Sequence, residues 1–322
     1  MFSVKSVTKF FAAAVTMLAV TATFTGCGDQ QSADGKKVIN IATGGTAGTY
    51  YPVGSAIAEV LNKNMDVNAS AQSTSASVAN INMLKDSQVD LAIIQNDIAF
   101  YAANGTEMFD KNRNQDLRGI ATLYPETCQF VTLASSGINS LADIKGKKVA
   151  VGAAGSGAEA NARQILEAYG ITYNDIEVQY LSFAEGSAAL KSNNVDVAFV
   201  TAGAPTAAIQ DIAGQTPIKI LSLGDEQIAS LISKYPYYTK TVIEPDTYAG
   251  FAEQAQSVSV MAMLVTSTRL SDDDGYNIAK SIFENTDRLE SAHAVGKYIK
   301  KETARDGMPL PMNEGVTKYL SE

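Results

Sequence analysis

The stretch Ile39-Asn40-Ile41-Ala42-Thr43-Gly44-Gly45-Thr46-Ala47-Gly48-Thr49-Tyr50-Tyr51-Pro52 decides the fold. An alternating apolar run (Val38, Ile39, Ile41) breaks into Gly44, Gly45 and Gly48. Pro52 then falls in the first turn of an amphipathic segment with Val53, Ile57, Val60 and Leu61 on one face. The pattern predicts strand, glycine loop and helix. Such a junction aims backbone N–H groups and the positive end of a helix dipole above the strand end, which makes it a ready anion site. The plainer reading is a βα turn whose glycines only let the backbone bend, and a single glycine-rich turn favours that reading.

An internal echo shifts the balance. Gly45-Thr46-Ala47-Gly48-Thr49 lies 107 positions before Gly152-Ala153-Ala154-Gly155-Ser156, and both read G-x-A-G followed by a hydroxyl residue. Leu84-Lys85 with Val89-Asp90-Leu91-Ala92 lies 106 positions before Leu190-Lys191 with Val195-Asp196-Val197-Ala198. Two matches in register within one residue predict two similar lobes.

The elements alternate as in an α/β fold. After the first strand and helix come a hydroxyl-rich strand (68–74), a helix with Val78, Ile81 and Leu84 inward, and a buried-type strand (89–94). The run 117–124 leads into Pro125. Beyond it the pattern restarts with 130–134, 148–152, a helix through Ile165 and Leu166, 176–181, a helix over 188–190, and 195–200. Further on stand a strand (218–223), a helix (226–232) and the aromatic stretch Tyr235-Pro236-Tyr237-Tyr238. Alternating Val258, Val260, Ala262 and Leu264 predict a strand that carries the chain back to the first lobe. Ser271 followed by Asp272, Asp273 and Asp274 predicts a capped helix start. The three acids lack the remaining spacing of a calcium loop.

The expected architecture is therefore a two-lobed clamshell, each lobe a mostly parallel sheet flanked by helices. Lobe I takes residues 38–124 plus about 256–322, and lobe II about 125–255. Each glycine loop would face the other at the carboxyl ends of its strands, where open α/β sheets bind ligands.

The front of the chain reads as a secretory signal over 1–26. Lys5 and Lys9 precede an apolar, small-residue run from Phe10 to Phe24 that stops at Thr25-Gly26-Cys27. Cys27 after a small residue resembles the bacterial lipobox, so lipidation at Cys27 is expected, although Phe24 replaces the usual aliphatic residue. Residues 27–37 read as a flexible tether. Losing two lysines with the signal takes the formal charge from −9 to −11. That balance argues against nucleic acid and against anionic membrane as partners of the body of the protein. Cys27 and Cys128 are the sole cysteines, so no intramolecular disulfide survives lipidation and the fold rests on its core.

The stretch Thr43–Pro52 closely resembles the TAXI family, the solute-binding proteins of a class of tripartite ATP-independent periplasmic (TRAP) transporters. The likeness continues through Thr74-Ser75-Ala76-Ser77-Val78-Ala79-Asn80, Gln95-Asn96-Asp97, Leu123-Tyr124-Pro125-Glu126, the run 141–149, Val151-Gly152 with Gly155-Ser156-Gly157, and Ala202-Gly203-Ala204-Pro205. The resemblance implies a type II periplasmic-binding-protein clamshell that captures a small organic anion or amino acid, with glutamate, glutamine or a dicarboxylate leading, and hands it to a TRAP-type membrane permease. It implies an extracytoplasmic, lipid-anchored monomer at the outer face of the cytoplasmic membrane, without cofactor or metal. Two departures concern the ligand. Met312-Asn313-Glu314-Gly315-Val316 stands where the family often has a histidine-proline-glycine-alanine motif, and Cys128 or Gln129 stands where a histidine is common.

Gly48, Thr49 and Tyr50 are expected to supply donors from one lobe, and Gly155, Ser156 and Gly157 from the other. Thr74, Ser75 and Ser77 stand at a strand end and helix start, where a hydroxyl either contacts ligand or caps the helix. Gln95 and Asn96 offer amides that read donors and acceptors. Asp97 either binds an ammonium group or makes a structural hydrogen bond. Tyr50 and Tyr51 are pocket-wall candidates, at least one of them core. Ala202, Gly203 and Pro205 bring backbone close, with Thr201 a weaker candidate. Arg118 and Arg163 are the guanidinium groups to watch for a carboxylate, with a solvated face the plainer reading of Arg163. Cys128 reads as a small buried hydrophobe.

An enzyme is disfavoured. Ser156 lacks the G-x-S-x-G spacing, and His293, the sole histidine, reads as a surface residue of a polar helix. Histidine-cysteine clustering for zinc is absent. The alternatives that keep the fold are an extracytoplasmic sensor and the binding protein of an ABC importer for a sulfonate or a thiamine precursor.

Overall fold

The computed structural model describes residues 35–322. The expected signal segment, Cys27 and most of the tether lie outside the described residues. In chain order the elements are β1 (Lys37–Ala42), α1 (Tyr50–Asn64), β2 (Val67–Gln72), α2 (Ser77–Lys85), β3 (Leu91–Gln95), α3 (Asn96–Asn104) and β4 (Leu117–Leu133). There follow β5 (Lys148–Ala150), α4 (Gly157–Ala168), β6 (Glu177–Gln179), α5 (Phe183–Lys191), β7 (Val197–Ala202), α6 (Ala207–Ala213), β8 (Ile218–Ile220) and α7 (Asp225–Lys234). The chain closes with β9 (Thr239–Ile243), β10 (Ala255–Ser267), α8 (Asp272–Phe283), α9 (Thr286–Ala292) and α10 (Glu314–Leu320).

The strands form one sheet in the order β2-β1-β3-β10-β4-β7-β5-β6, with β8 on β4 and β9 on β10. The outer strands of each half pair in parallel, β2-β1-β3 at one end and β7-β5-β6 at the other. The long strands β4 and β10 run antiparallel to each other through the middle. β4 pairs β10 over Leu117–Thr127 and β7 over Thr127–Val131, so it belongs to both halves. β10 likewise pairs β9 over Ala255–Ser259 and β3 over Ala262–Val265, as expected of a strand that returns the chain to the first half.

The break expected at Pro125 does not occur, because β4 runs on from Leu117 to Leu133. The proline is tolerated because β7 joins the other edge of β4 only from Thr127 onward. No ladder bond on that edge is asked of residue 125.

Packing explains why the two halves hold together. On one sheet face a single core runs from Ile81, Leu84 and Ile98 across Phe130 to Ile165, Leu166 and Leu231, so α2, α3, α4 and α7 share it. On the other face the core is divided. Val53, Ile57 and Leu61 of α1 pack with Ile278 and Ile282 of α8 over the first half. Leu190 of α5 and Ile209 and Ile212 of α6 pack over the second. Each fully buried aliphatic side chain contributes about 1.5–3 kcal/mol of transfer free energy, so both helical layers are firmly seated and the line between them is the natural place for an opening. α8 starts as predicted, with Ser271 accepting from the Asp274 N–H and three aspartates in the first turn.

Candidate functional site

The opening lies where the divided face and the glycine loops meet. A cavity of about 50 Å3, open to the centre of a water-sized sphere, is walled by Gly44, Gly45, Gly48, Thr49 and Tyr50 from the first junction. Ala76, Ser77 and Gln95 extend that wall from the starts of α2 and α3. The second half answers with Ser156, Gly157 and Ala158 at the start of α4, Phe183 of α5, and Thr201 and Ala202 at the end of β7. Glu126 of β4 completes the lining. At about 10–15 Å3 per water centre, the space suits a few waters or one small solute.

The starts of α1 to α5 all border this cavity, and the positive ends of their dipoles favour an anion there, although the first N–H groups of α3 are taken by the Asn96 and Asp97 side chains. Neither α1 nor α2 has a side-chain cap. Thr49, the residue before α1, spends its hydroxyl elsewhere, donating to the Gly203 carbonyl at 3.1 Å. Helix α4 is capped by Ser156 Oγ, which accepts from the Glu159 N–H at 3.1 Å and donates to the Ala153 carbonyl at 2.7 Å. The Ser156 hydroxyl is thus committed to the turn, as is its backbone N–H, which donates to the Ala153 carbonyl at 3.1 Å.

The two halves touch around the rim. Besides Thr49 on Gly203, the Ala208 N–H donates to the Ala47 carbonyl at 3.1 Å and the Ala79 N–H to the Gly155 carbonyl at 3.2 Å. Glycine is required at two of these approaches. A Cβ on Gly157 would overlap Gln95 Oε1, and Gly155 holds φ at +76° to turn the chain into α4.

Several expected residues stand behind the wall. Thr74 Oγ1 donates to the Thr43 carbonyl at 2.8 Å and accepts from the Ala76 N–H at 3.0 Å, so it shapes the turn into α2. Ser75, Tyr51 and Pro205 are absent from the lining, as are Gly155 and Gly203, whose carbonyls accept the rim bonds. Asn96 Oδ1 accepts from the Met261 and Asp97 N–H groups and ties α3 to β10.

Asp97 faces away into a buried chain. Asn161 Nδ2 donates to Asp97 Oδ2 at 2.8 Å and also contacts Tyr238, which donates to Gln164 Oε1 at 2.7 Å. Gln164 in turn donates to Tyr101 at 3.0 Å. Burial pushes the Asp97 carboxyl up to about 6, against the pull of the Ile98 N–H and Asn161. The chain links α3 of the first half to α4 of the second.

Neither arginine reaches the cavity. Arg163 stands 3.8 Å from each of Glu107, Glu159 and Glu167 on the surface, and Arg118 donates to the Gln115 and Leu117 carbonyls. Cys128 is buried, and burial pushes its thiol well up. His293 corrects the expectation of a surface residue. It follows α9 half-buried and accepts from the Val295 N–H at 3.2 Å, and burial pulls it down while the nearby Pro205 carbonyl pulls it up.

Sequence reasoning passed over Glu126, Phe183 and Ala158 as lining residues. For Glu126 a signal was present, since it is the one acid inside the apolar run 117–133. Tyr50 donates to Glu126 Oε2 at 2.8 Å, and burial pushes both groups well up from their ordinary values.

The sheet, the flanking helices and a cavity between two halves define an α/β fold of the periplasmic-binding-protein kind. Over residues 41–322 the sequence matches the NMT1-like family, and the chain belongs to that family. Among solved structures it is similar to the binding-protein component of an ABC phosphonate transporter from Pseudomonas aeruginosa. That match has 14% identity and a TM-score of 0.53 over 82% of this chain and 80% of the other. PhnD1 from Prochlorococcus marinus, in complex with methylphosphonate, matches at 13% identity and a TM-score of 0.52, over 82% and 91%. A protein from Bordetella bronchiseptica matches at 15% identity and a TM-score of 0.57, over 88% and 97%.

Proposed function

We propose that this protein is an extracytoplasmic solute-binding protein that captures one small organic anion or amino acid between two lobes and delivers it to a membrane transporter. The observation that carries the reading is the cavity itself. Helix starts from both halves converge on a space for one small solute, and the rim contacts bridge the halves. The division at residues 38–124 plus about 256–322 against about 125–255 fits the split core on one face, with β4 and β10 as the crossings. Closure about those strands would bury the solute.

For the transporter, the fold neighbours favour an ABC-type importer, since two of them are a phosphonate-importer component and a methylphosphonate-bound protein. A TRAP-type permease is the second reading, and the resemblance of Thr43–Pro52 to TAXI proteins favours it. An enzyme is the third reading, and Glu126, bonded to Tyr50, is the one acid in the lining that could serve its hydroxyls. A lipid anchor at Cys27 would hold the protein at the membrane.

The test is thermal stabilisation of ligand-stripped protein by a panel of amino acids, dicarboxylates, phosphonates and sulfonates. One member is expected to raise Tm without being turned over, and Thr49→Val, which removes the rim bond to the Gly203 carbonyl, is expected to shrink the rise. Hydrolysis of a panel member, or no rise with any of them, would overturn the assignment.

A further inference from the structure

The hydroxyls that line the cavity have their protons placed already. Thr49 donates to the Gly203 carbonyl at 3.1 Å and Ser156 to the Ala153 carbonyl at 2.7 Å, while Thr201 lies 3.5 Å from Cys128 Sγ. Ser77 Oγ accepts from the Gln95 N–H at 3.1 Å, which turns its own proton to the neighbouring Tyr50 phenol. Tyr50 in turn donates to Glu126 Oε2 at 2.8 Å. Two side chains are left to meet a solute. Gln95 sets its Oε1 where a Cβ on Gly157 would stand, so its amide nitrogen is the polar group left to the cavity. Glu126 is 1% exposed, and among the described residues nothing bonds its Oε1.

An ionised Glu126 would set its charge against any anion that the helix starts draw in, in a lining with no lysine, arginine or histidine to offset it. The neutral acid does the opposite. With Oε2 accepting from Tyr50, the acid proton belongs on Oε1, where it is a donor facing the same space as the Gln95 amide. We propose that Glu126 takes part in capture as the neutral acid, donating from Oε1 to an oxygen of a bound carboxylate, sulfonate or phosphonate, so that capture weakens when the site loses its proton. This rests on the solute-capture reading and gives Glu126 its part in it. A hydrogen bond from an O–H to an anionic oxygen is of the strong, charge-assisted kind.

The surroundings favour the acid form. Burial pushes the Glu126 carboxyl well up, the Tyr50 bond pulls against it, and the charge of Asp97 on α3 adds to the rise. The other ionisable groups around it are Tyr50 on α1 and Tyr124 and Cys128 on its own strand, and the residue opposite it on β10 is Val260. None is a cation. Because the anion binds the acid form, affinity is complete below the empty-site value of Glu126. It falls by about tenfold per pH unit above that value, where binding takes up a proton. A cation held by ionised Glu126 would give the reverse slope, with proton release.

The experiment is calorimetry on ligand-stripped protein from pH 6.5 to pH 9, in buffers of different ionisation enthalpy, with glutarate, glutamate, methanesulfonate and methylphosphonate. The member that binds is expected to bind more weakly towards pH 9, with proton uptake. Glu126→Gln, whose amide keeps a donor and cannot titrate, is expected to remove the protein's part of that slope. Glu126→Met, with no donor, is expected to lose at least about tenfold in affinity at pH 6.5. The infrared difference between ligand-free wild type and Glu126→Gln at pH 7 is expected to show the carbonyl stretch of a protonated carboxyl. Should the variants not fold, proton uptake by wild type reads the same role alone. Absence of the infrared band, a wild-type slope equal to that of Glu126→Gln, proton release on binding, or wild-type affinity in Glu126→Met would overturn the donor role alone. Binding of no panel member, with the infrared band present, would overturn the capture reading, and the donor role with it.

Discussion

Tyr50 on α1 donates to Glu126 on β4 across 2.8 Å, and both side chains are nearly sealed from solvent. The contact joins the glycine-loop helix to the central strand shared by both halves of the sheet. Removing the hydroxyl leaves a buried carboxyl without that donor, at a cost of about 1–3 kcal/mol. Tyr50→Phe is thus expected to lower the free energy of unfolding by that amount in a urea titration, with an unchanged m-value. It should also push Glu126 further up, since the Tyr50 bond is what pulls it down. A variant as stable as wild type would show that the bond contributes nothing.

Asp97 gives a pH prediction. Its carboxyl stands at about 6 in the folded protein against about 3.9 when unfolded. The folded state therefore holds the proton more tightly, and this residue's contribution to stability falls as pH rises from about 4 to about 6, then levels off. The loss is at most about 3 kcal/mol. Asp97→Asn is expected to flatten that part of the stability profile, measured by urea unfolding at intervals from pH 4 to pH 8. A wild-type slope of the opposite sign attributable to Asp97 would contradict the burial argument.

Arg163 is expected to be dispensable. It lies at 3.8 Å from three glutamates on a solvated face, and such pairs are worth about 0–1 kcal/mol each. Arg163→Ala should change stability by about 1 kcal/mol or less and leave solute affinity within about twofold. A large affinity loss would mean that the guanidinium swings into the site.

The glycine loop at Ile39–Pro52 and its echo at Gly152–Ser156 were readable because strand alternation, glycine and helical spacing are local patterns. The structure brings both to one cavity. Pro125 was misleading for a physical reason. A proline ends a strand only where both edges must pair, and edge pairing is set by partners far along the chain. The same limit hid Glu126. Its hydrogen-bond partner Tyr50 lies on another element, so the one local sign was an acid inside an apolar run. Asp97 shows the converse. Beside Gln95 in the chain, it turns to Asn161 because successive side chains at a helix start diverge.

In the capture reading a solute sits between the two halves, at the approach of Gly157 to Gln95. Mass spectrometry of small molecules released on denaturing the purified protein, run in parallel on Gly157→Ala, tests it most directly. A Cβ there would overlap Gln95 Oε1 and force the Gln95 side chain out of its place in the lining. The predicted result is one small molecule in near-stoichiometric amount from wild type, depleted at least about tenfold in the variant. Equal recovery of that molecule from both proteins would contradict the claim.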